Sequence, residues 1–143
     1  MTALGSDHNG FELKREIIDY LRNEDAGFCD FGCYEKEPAD YPVIAKKVCA
    51  AILSGQCENG ILICGTGVGI SIAANRFKGI RAAICRDVST AVAARDHNDA
   101  NILVMGAQSV DSVQCIEIIK AFFSTGFSNI EKHIRRIGLI DSE

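Results

Sequence analysis

Short, wholly apolar runs alternate along this chain with longer stretches in which apolar residues recur every three or four positions. The first run, ALGS at 3–6, stops at Asp7. Leu13, Ile17 and Leu21 follow at i, i+4 and i+8, which predicts a helix over 11–24. GFCDFG at 27–32 reads as a second strand between glycines, and YEKEPAD as a polar loop. Pro42 suits the first turn of a helix capped by Asp40, with Tyr41, Ile44, Val48 and Ile52 as its stripe. GILICG at 60–65 predicts the third strand, and GVGISIAANRF at 67–77 a helix of small residues. IRAAIC at 80–85 predicts a fourth strand, followed by a helix over 87–96 begun by Asp87. NILVMG at 101–106 is the fifth strand. Asp111 or Ser112 then caps a long helix with Val113, Ile116, Ile119 and Phe123 on one face, and 129–140 predicts a last helix carrying KHIRR.

Strands that are apolar throughout and alternate with helices imply a parallel sheet covered on both faces. The expectation is an α/β, three-layer αβα sandwich. Its sheet is Rossmann-like, with five parallel strands in the order 2-1-3-4-5, and a C-terminal helix is added. With 143 residues, and no linker, internal repeat or low-complexity tract, residues 1–143 read as a single domain.

Apolar residues make up 48% and charged residues 24%, which excludes a disordered or collagen-like chain. The net charge of −4 gives no general attraction to nucleic acid or to an anionic membrane, so any bound anion needs a local cluster. No apolar run approaches the ~18 residues of a membrane span. The start, MTALGSDHNG, lacks the basic region and apolar segment of a signal peptide. The seven cysteines include no CxxC pair, and Cys29 with Cys33 has no histidine at zinc spacing. The expected setting is the reducing cytoplasm, with most thiols structural and no metal or cofactor.

In an open α/β sheet, ligands bind beyond the carboxyl ends of the strands at the topological switch point, here between strands one and three. Two loops meet there: Ser6-Asp7-His8-Asn9-Gly10 and Cys64-Gly65-Thr66-Gly67-Val68-Gly69. The second lacks the phosphate-loop signature, since Ile70 and Ser71 stand where Gly and Lys are needed. It is a strand-to-helix turn whose bare amides suit a phosphate or a developing oxyanion; its plainer reading is a tight packing turn. Cys64, at a helix N-terminus, is placed where a thiol pKa can fall toward neutrality, as a proton-abstracting base requires, unless it is only the last core residue of its strand. Asp7 and His8 are an acid–base pair or an anion site, against a cap and a surface histidine. His97 falls between helix four and strand five, at the amino ends of the strands. A functional His97 therefore predicts an oligomer whose neighbouring subunit receives it. Lys132, His133, Arg135 and Arg136 form the one basic cluster, a clamp for a phosphorylated metabolite or a solvated helix face.

GSDHNGF, Asp40-Tyr41-Pro42, GILICGTGVGISIAANRFKGIRAA and ARDHNDANILVMGA together resemble the ribose-5-phosphate isomerase B family, with its relatives acting on allose and galactose 6-phosphates. The resemblance runs from Leu4 to about Ile140. It implies an isomerase of a sugar phosphate, in a homodimer or tetramer with active sites at the subunit interface. It implies that Cys64 moves the proton between C2 and C1, and that Thr66 with the amides of Gly65, Gly67 and Gly69 stabilises a cis-enediolate. It implies further that His97, assisted by Asp7, opens the sugar ring, that Asn98 holds substrate or the glycine loop, and that Tyr41 lines the pocket. His8, His133 and Arg136 match phosphate-engaging positions. Lys132 and Gln108 stand where many members carry Arg, but Cys64 and His97 are both present, so the resemblance implies interconversion of D-ribose 5-phosphate and D-ribulose 5-phosphate, with a six-carbon sugar phosphate such as allose 6-phosphate as the alternative substrate. A non-catalytic sugar-phosphate binding module is the reading from another class, and a thiol redox protein is a weaker one.

Overall fold

The computed structural model describes residues 1–142. The strands are β1 (Thr2–Ser6), β2 (Phe28–Asp30), β3 (Asn59–Cys64), β4 (Ala82–Ile84) and β5 (Ile102–Gly106), all parallel where they pair. The helices are α1 (Phe11–Asn23), α2 (Tyr41–Leu53), α3 (Val68–Ala74), α4 (Val88–Asn98), α5 (Ser112–Ser124) and α6 (Glu131–Asp141).

Alternation along each strand builds the two cores. Leu4, Ile61, Ile63, Leu103 and Met105 point to one face, against Leu13, Ile17 and Leu21 of α1 and Ile118, Ile119 and Phe122 of α5. Ala3, Leu62, Cys64, Ile102 and Val104 point to the other, against Ile44, Ala45 and Val48 of α2 and Ile70 and Ala74 of α3. A strand buried on both faces has no polar position to spare, which is why these runs read as continuously apolar.

The strand order is β2-β1-β3-β5-β4, not the expected 2-1-3-4-5. Handedness explains the difference. Right-handed crossovers moving toward one edge of a sheet must lie on one face, and those moving toward the other edge on the opposite face. The helices α2 and α3 share a face, and they carry the chain from β2 to β3 and from β3 to β4, both toward the β4 edge. The buried side chains of α4, Ala91 and Ala94, belong to the α1 face. A crossover there must move back inward, so β5 inserts between β3 and β4. Burial agrees: all five residues of β5 are buried, whereas the three of β4 are only half-buried. The switch point between β1 and β3 is unaffected.

Two local expectations also change. Helix α5 buries Cys115, Ile118, Ile119 and Phe122, while Val113 is 72% exposed and Phe123 is 37% exposed. This helix is apolar on more than one face, so spacing alone does not choose; packing against α1 and α4 does. At its start Asp111 is the cap, in a reciprocal capping box with Gln114. Asp87 caps α4 by accepting from the Thr90 N–H at 2.7 Å. Asp40 occupies the N-cap position of α2 but its side chain makes no capping bond.

Candidate active site

The carboxyl end of β3 is stitched on both sides. The Asp7 N–H donates to the Ile63 carbonyl at 3.2 Å, and the Ala107 and Gln108 N–H groups donate to the carbonyls of Cys64 and Gly65, each at 2.9 Å. The loops after β1, β3 and β5 therefore form one rim. Cys64 closes β3 and is 4% exposed. The chain then turns through Gly67 at φ +83°, a left-handed conformation that glycine adopts without a Cβ penalty. That turn aims the Gly67 N–H at the Cys64 sulfur, 3.1 Å away. The Gly67 amide is thus occupied by the thiol. Thr66 Oγ1 accepts from the Val68 N–H at 3.2 Å and keeps its own proton available to a ligand.

The remaining candidate residues from the loop after β1 and from α2 sit around this turn. Tyr41, first in α2, lays its ring on Gly69; a Cβ there would stand 2.6 Å from Tyr41 Cζ. The carboxamides of Asn9 and Gln108 converge above Gly65, 3.4 and 3.2 Å from the position of a Gly65 Cβ. Asp7 is 4% exposed and its Oδ1 accepts from the Asn9 and Gly10 N–H groups at 2.9 and 3.2 Å. It braces its own loop, while Gly10 holds the N-cap position of α1. His8 Nδ1 accepts from the Ala39 N–H at 3.1 Å, which turns the ring toward the segment leading into α2.

His97 and Asn98 end α4, which returns from the carboxyl edge of the sheet to the amino edge. An 11-residue helix is about 16 Å long. The fold therefore separates His97 from Cys64 within one chain. At the amino edge His97 gathers a second cluster. Its Nε2 lies 3.3 Å from Asp96 Oδ2, and its ring is 4.6 Å from that of His133. Burial of His133, with His97 and Lys132 beside it, lowers its pKa from the ordinary 6.5; Asp96 opposes this and Arg136 adds to it. Lys132 and Arg136 flank it, exposed, on α6.

Sequence reasoning missed the groups that hold this second cluster. Arg81 donates from Nε and Nη2 to the carbonyls of Asn98 and Asp99, and from Nη1 to Asp141 of α6 at 3.0 Å. Arg95 donates to Asp99 Oδ1 and to the Ala100 carbonyl. The one available signal was Arg81, a charged residue within the otherwise apolar IRAAIC run. Among the described residues no helix is long and apolar enough to cross a membrane.

A doubly wound parallel sheet with a thiol under a glycine turn at its switch point has the architecture of an α/β enzyme. The family comparison narrows this class. A family model described as Ribose/Galactose Isomerase matches residues 2–140. Ribose-5-phosphate isomerase B of Escherichia coli is 41% identical over 138 residues, covering 96% of this chain and 92% of that protein. Two solved structures are also close. The ribose 5-phosphate isomerase of Thermotoga maritima has a TM-score of 0.96 at 46% identity, covering 98% of this chain and 96% of that one. Ribose-5-phosphate isomerase B of Clostridium thermocellum has a TM-score of 0.96 at 44% identity, covering 98% and 94%. The chain belongs to the Ribose/Galactose Isomerase family and is a sugar-phosphate isomerase.

Proposed function

We infer that this chain interconverts D-ribose 5-phosphate and D-ribulose 5-phosphate through a cis-enediolate, with Cys64 as the base. The observation that carries the reading is the Cys64 sulfur, held beneath the glycine turn by the Gly67 N–H at 3.1 Å. The names of the relatives supply the substrate. In this mechanism the Cys64 thiolate takes the proton from C2 of the open-chain aldose, and the C1 carbonyl oxygen gains the charge. The proton returns to C1 while the O2 hydroxyl proton passes to O1, giving the ketose with no net gain or loss of electrons. Thr66 and the amides of Gly65 and Gly69 stabilise the enediolate oxygens, and the Gly67 amide serves the sulfur. Tyr41 walls the sugar, and Asp7 assists ring opening.

His97 and Asn98 act in this scheme from a second copy of the chain, because their own helix carries them to the far edge of the sheet. His8, Lys132, His133 and Arg136 take the phosphate. Exposed apolar residues favour such a homo-oligomer: Val68 and Ile72 on α3 are 46% and 55% exposed, and Val88 and Val92 on α4 are 45% and 38% exposed. One observation keeps a six-carbon sugar phosphate as the second reading. Gln108, a neutral group, stands over Gly65 where its carboxamide can meet a sugar hydroxyl.

The test is isomerisation of ribose 5-phosphate in excess chelator by wild type and Cys64→Ala. The variant is expected to keep its melting temperature and lose at least ~10²-fold in turnover. Near-normal turnover in Cys64→Ala would remove the base. Wild-type turnover of allose 6-phosphate but not of ribose 5-phosphate would replace the substrate.

A further inference from the structure

Ser128, in the segment between α5 and α6, is tied at three points. Its backbone N–H donates to the Asp96 carbonyl in the last turn of α4 at 3.1 Å. Its Oγ accepts from the Ile130 N–H at 3.2 Å and lies 2.8 Å from His133 Nδ1. His133 is 8% exposed and is packed at 39° to the His97 ring. A hydroxyl has a single proton to give. Among the described residues Oγ has no acceptor for that proton other than Nδ1, and a neutral imidazole that accepts it there carries its own proton on Nε2. No buried side-chain nitrogen or oxygen among the described residues lacks a partner. Among the described residues His133 Nε2 has no hydrogen-bond partner, so it opens to the surface of this cluster.

We propose that Ser128 is a positioning residue: its hydroxyl locks His133 in the Nε2–H tautomer, which presents an uncharged N–H donor to the substrate phosphate between the cations Lys132 and Arg136. The proposal rests on the sugar-phosphate reading of the site. A fixed tautomer matters because only the protonated nitrogen of a neutral imidazole donates, and a ring free to exchange tautomers spends part of its time with a lone pair facing the anion. The charged and titratable groups around the ring are His97 and Asp96 from α4 and Lys132 and Arg136 from α6. Apart from Asp96, these disfavour a second positive charge on His133, consistent with a neutral donor.

The test uses the full chain with 15N-labelled histidine, comparing wild type, Ser128→Ala and Ser128→Thr. Long-range proton–nitrogen NMR reads the tautomer of each of the three histidines, and His133→Gln assigns the His133 signals. Wild type is expected to show a single His133 form protonated at Nε2. Ser128→Ala is expected to show mixed tautomers, and Ser128→Thr to restore the single form. In steady-state assays Ser128→Ala is expected to raise KM for ribose 5-phosphate about two- to tenfold, the worth of one hydrogen bond, with kcat unchanged. Ser128→Thr should return KM to the wild-type value. A wild-type His133 protonated at Nδ1, or an unchanged tautomer in Ser128→Ala, would overturn the proposal, as would a fall in kcat at constant KM. Titration with inorganic phosphate keeps it separate from the substrate assignment. If wild type does not isomerise ribose 5-phosphate, phosphate binding that weakens in Ser128→Ala still supports the role of Ser128, and unchanged phosphate binding overturns it.

Discussion

Lys14 gives the sharpest test of how the crevice is held. It lies in α1 with its side chain 1% exposed, yet it carries an ammonium group. Nζ donates to Asp30 Oδ1 at 2.6 Å and to the Cys33 carbonyl at 2.6 Å, between the rings of Phe11 and Tyr34. Asp30 Oδ1 also accepts from the Gly32 N–H at 2.9 Å. Lys14 thereby pins the exit of β2, where the chain departs for Ala39, the partner of His8, and Tyr41, the wall on Gly69. Lys14→Met keeps the stem and removes the charge. Losing a charge-assisted bond costs about 1.5–3 kcal/mol, and an unpaired buried carbonyl about 1–3 kcal/mol. The Asp30 side chain is 25% exposed and regains water, which trims the total to about 3 kcal/mol. For 143 residues the unfolding entropy is about 0.3 kcal/mol per kelvin, so the melting temperature should fall by about 10 °C. Calorimetry at low salt and at ~1 M NaCl checks it, because a buried pair is screened little. A loss under ~1 kcal/mol, or a loss that disappears at high salt, would refute the argument.

The crevice rim and the core thiols each provide a further check. Gly106→Ala places a Cβ 2.5 Å from the Thr66 carbonyl carbon and oxygen, which are backbone and cannot rotate away. It should destabilise the fold by about 1–3 kcal/mol and sharply reduce isomerisation, as read by thermal melts and turnover on the same preparation. Burial raises the Cys49 thiol to about 11, and raises Cys85 and Cys115 to about 12, from an ordinary 9.0. Below pH 9 these thiols are neutral in both folded and unfolded chains and their contribution is complete. Above it the unfolded chain gives up its protons first, so stability falls steadily toward pH 11–12. Denaturant midpoints flat from pH 9 to 11 would contradict this.

Much of the molecule is legible in its local pattern. Leu13, Ile17 and Leu21 fix the buried face of α1 by spacing alone, since no competing stripe exists on that helix. The glycine turn after Cys64 announces itself because a left-handed residue at Gly67 and a ring against Gly69 both require glycine. The meeting of the loops after β1 and β3 was legible because these strands are neighbours whichever way the remaining strands are ordered. Helix α5 was misread because it has apolar residues on two faces, and Ser128 left no trace because its partner is chosen by the return of α6 onto α4.

By itself, the sequence determined which segments are strands and helices, that the strands are buried on both faces, and that Cys64 and its glycine turn lie at the carboxyl end of β3. These depend on period, side-chain branching and conformational freedom, all carried by neighbours along the chain. Tertiary structure decided the placement of β5 inside β4, the charged anchor at Lys14, the engagement of the Gly67 amide by the Cys64 sulfur, and the Ser128–His133–His97 cluster. Each of these joins residues brought together by chain direction, crossover handedness and packing. The energy of such contacts depends on the assembled surroundings, so local sequence pattern alone does not specify them.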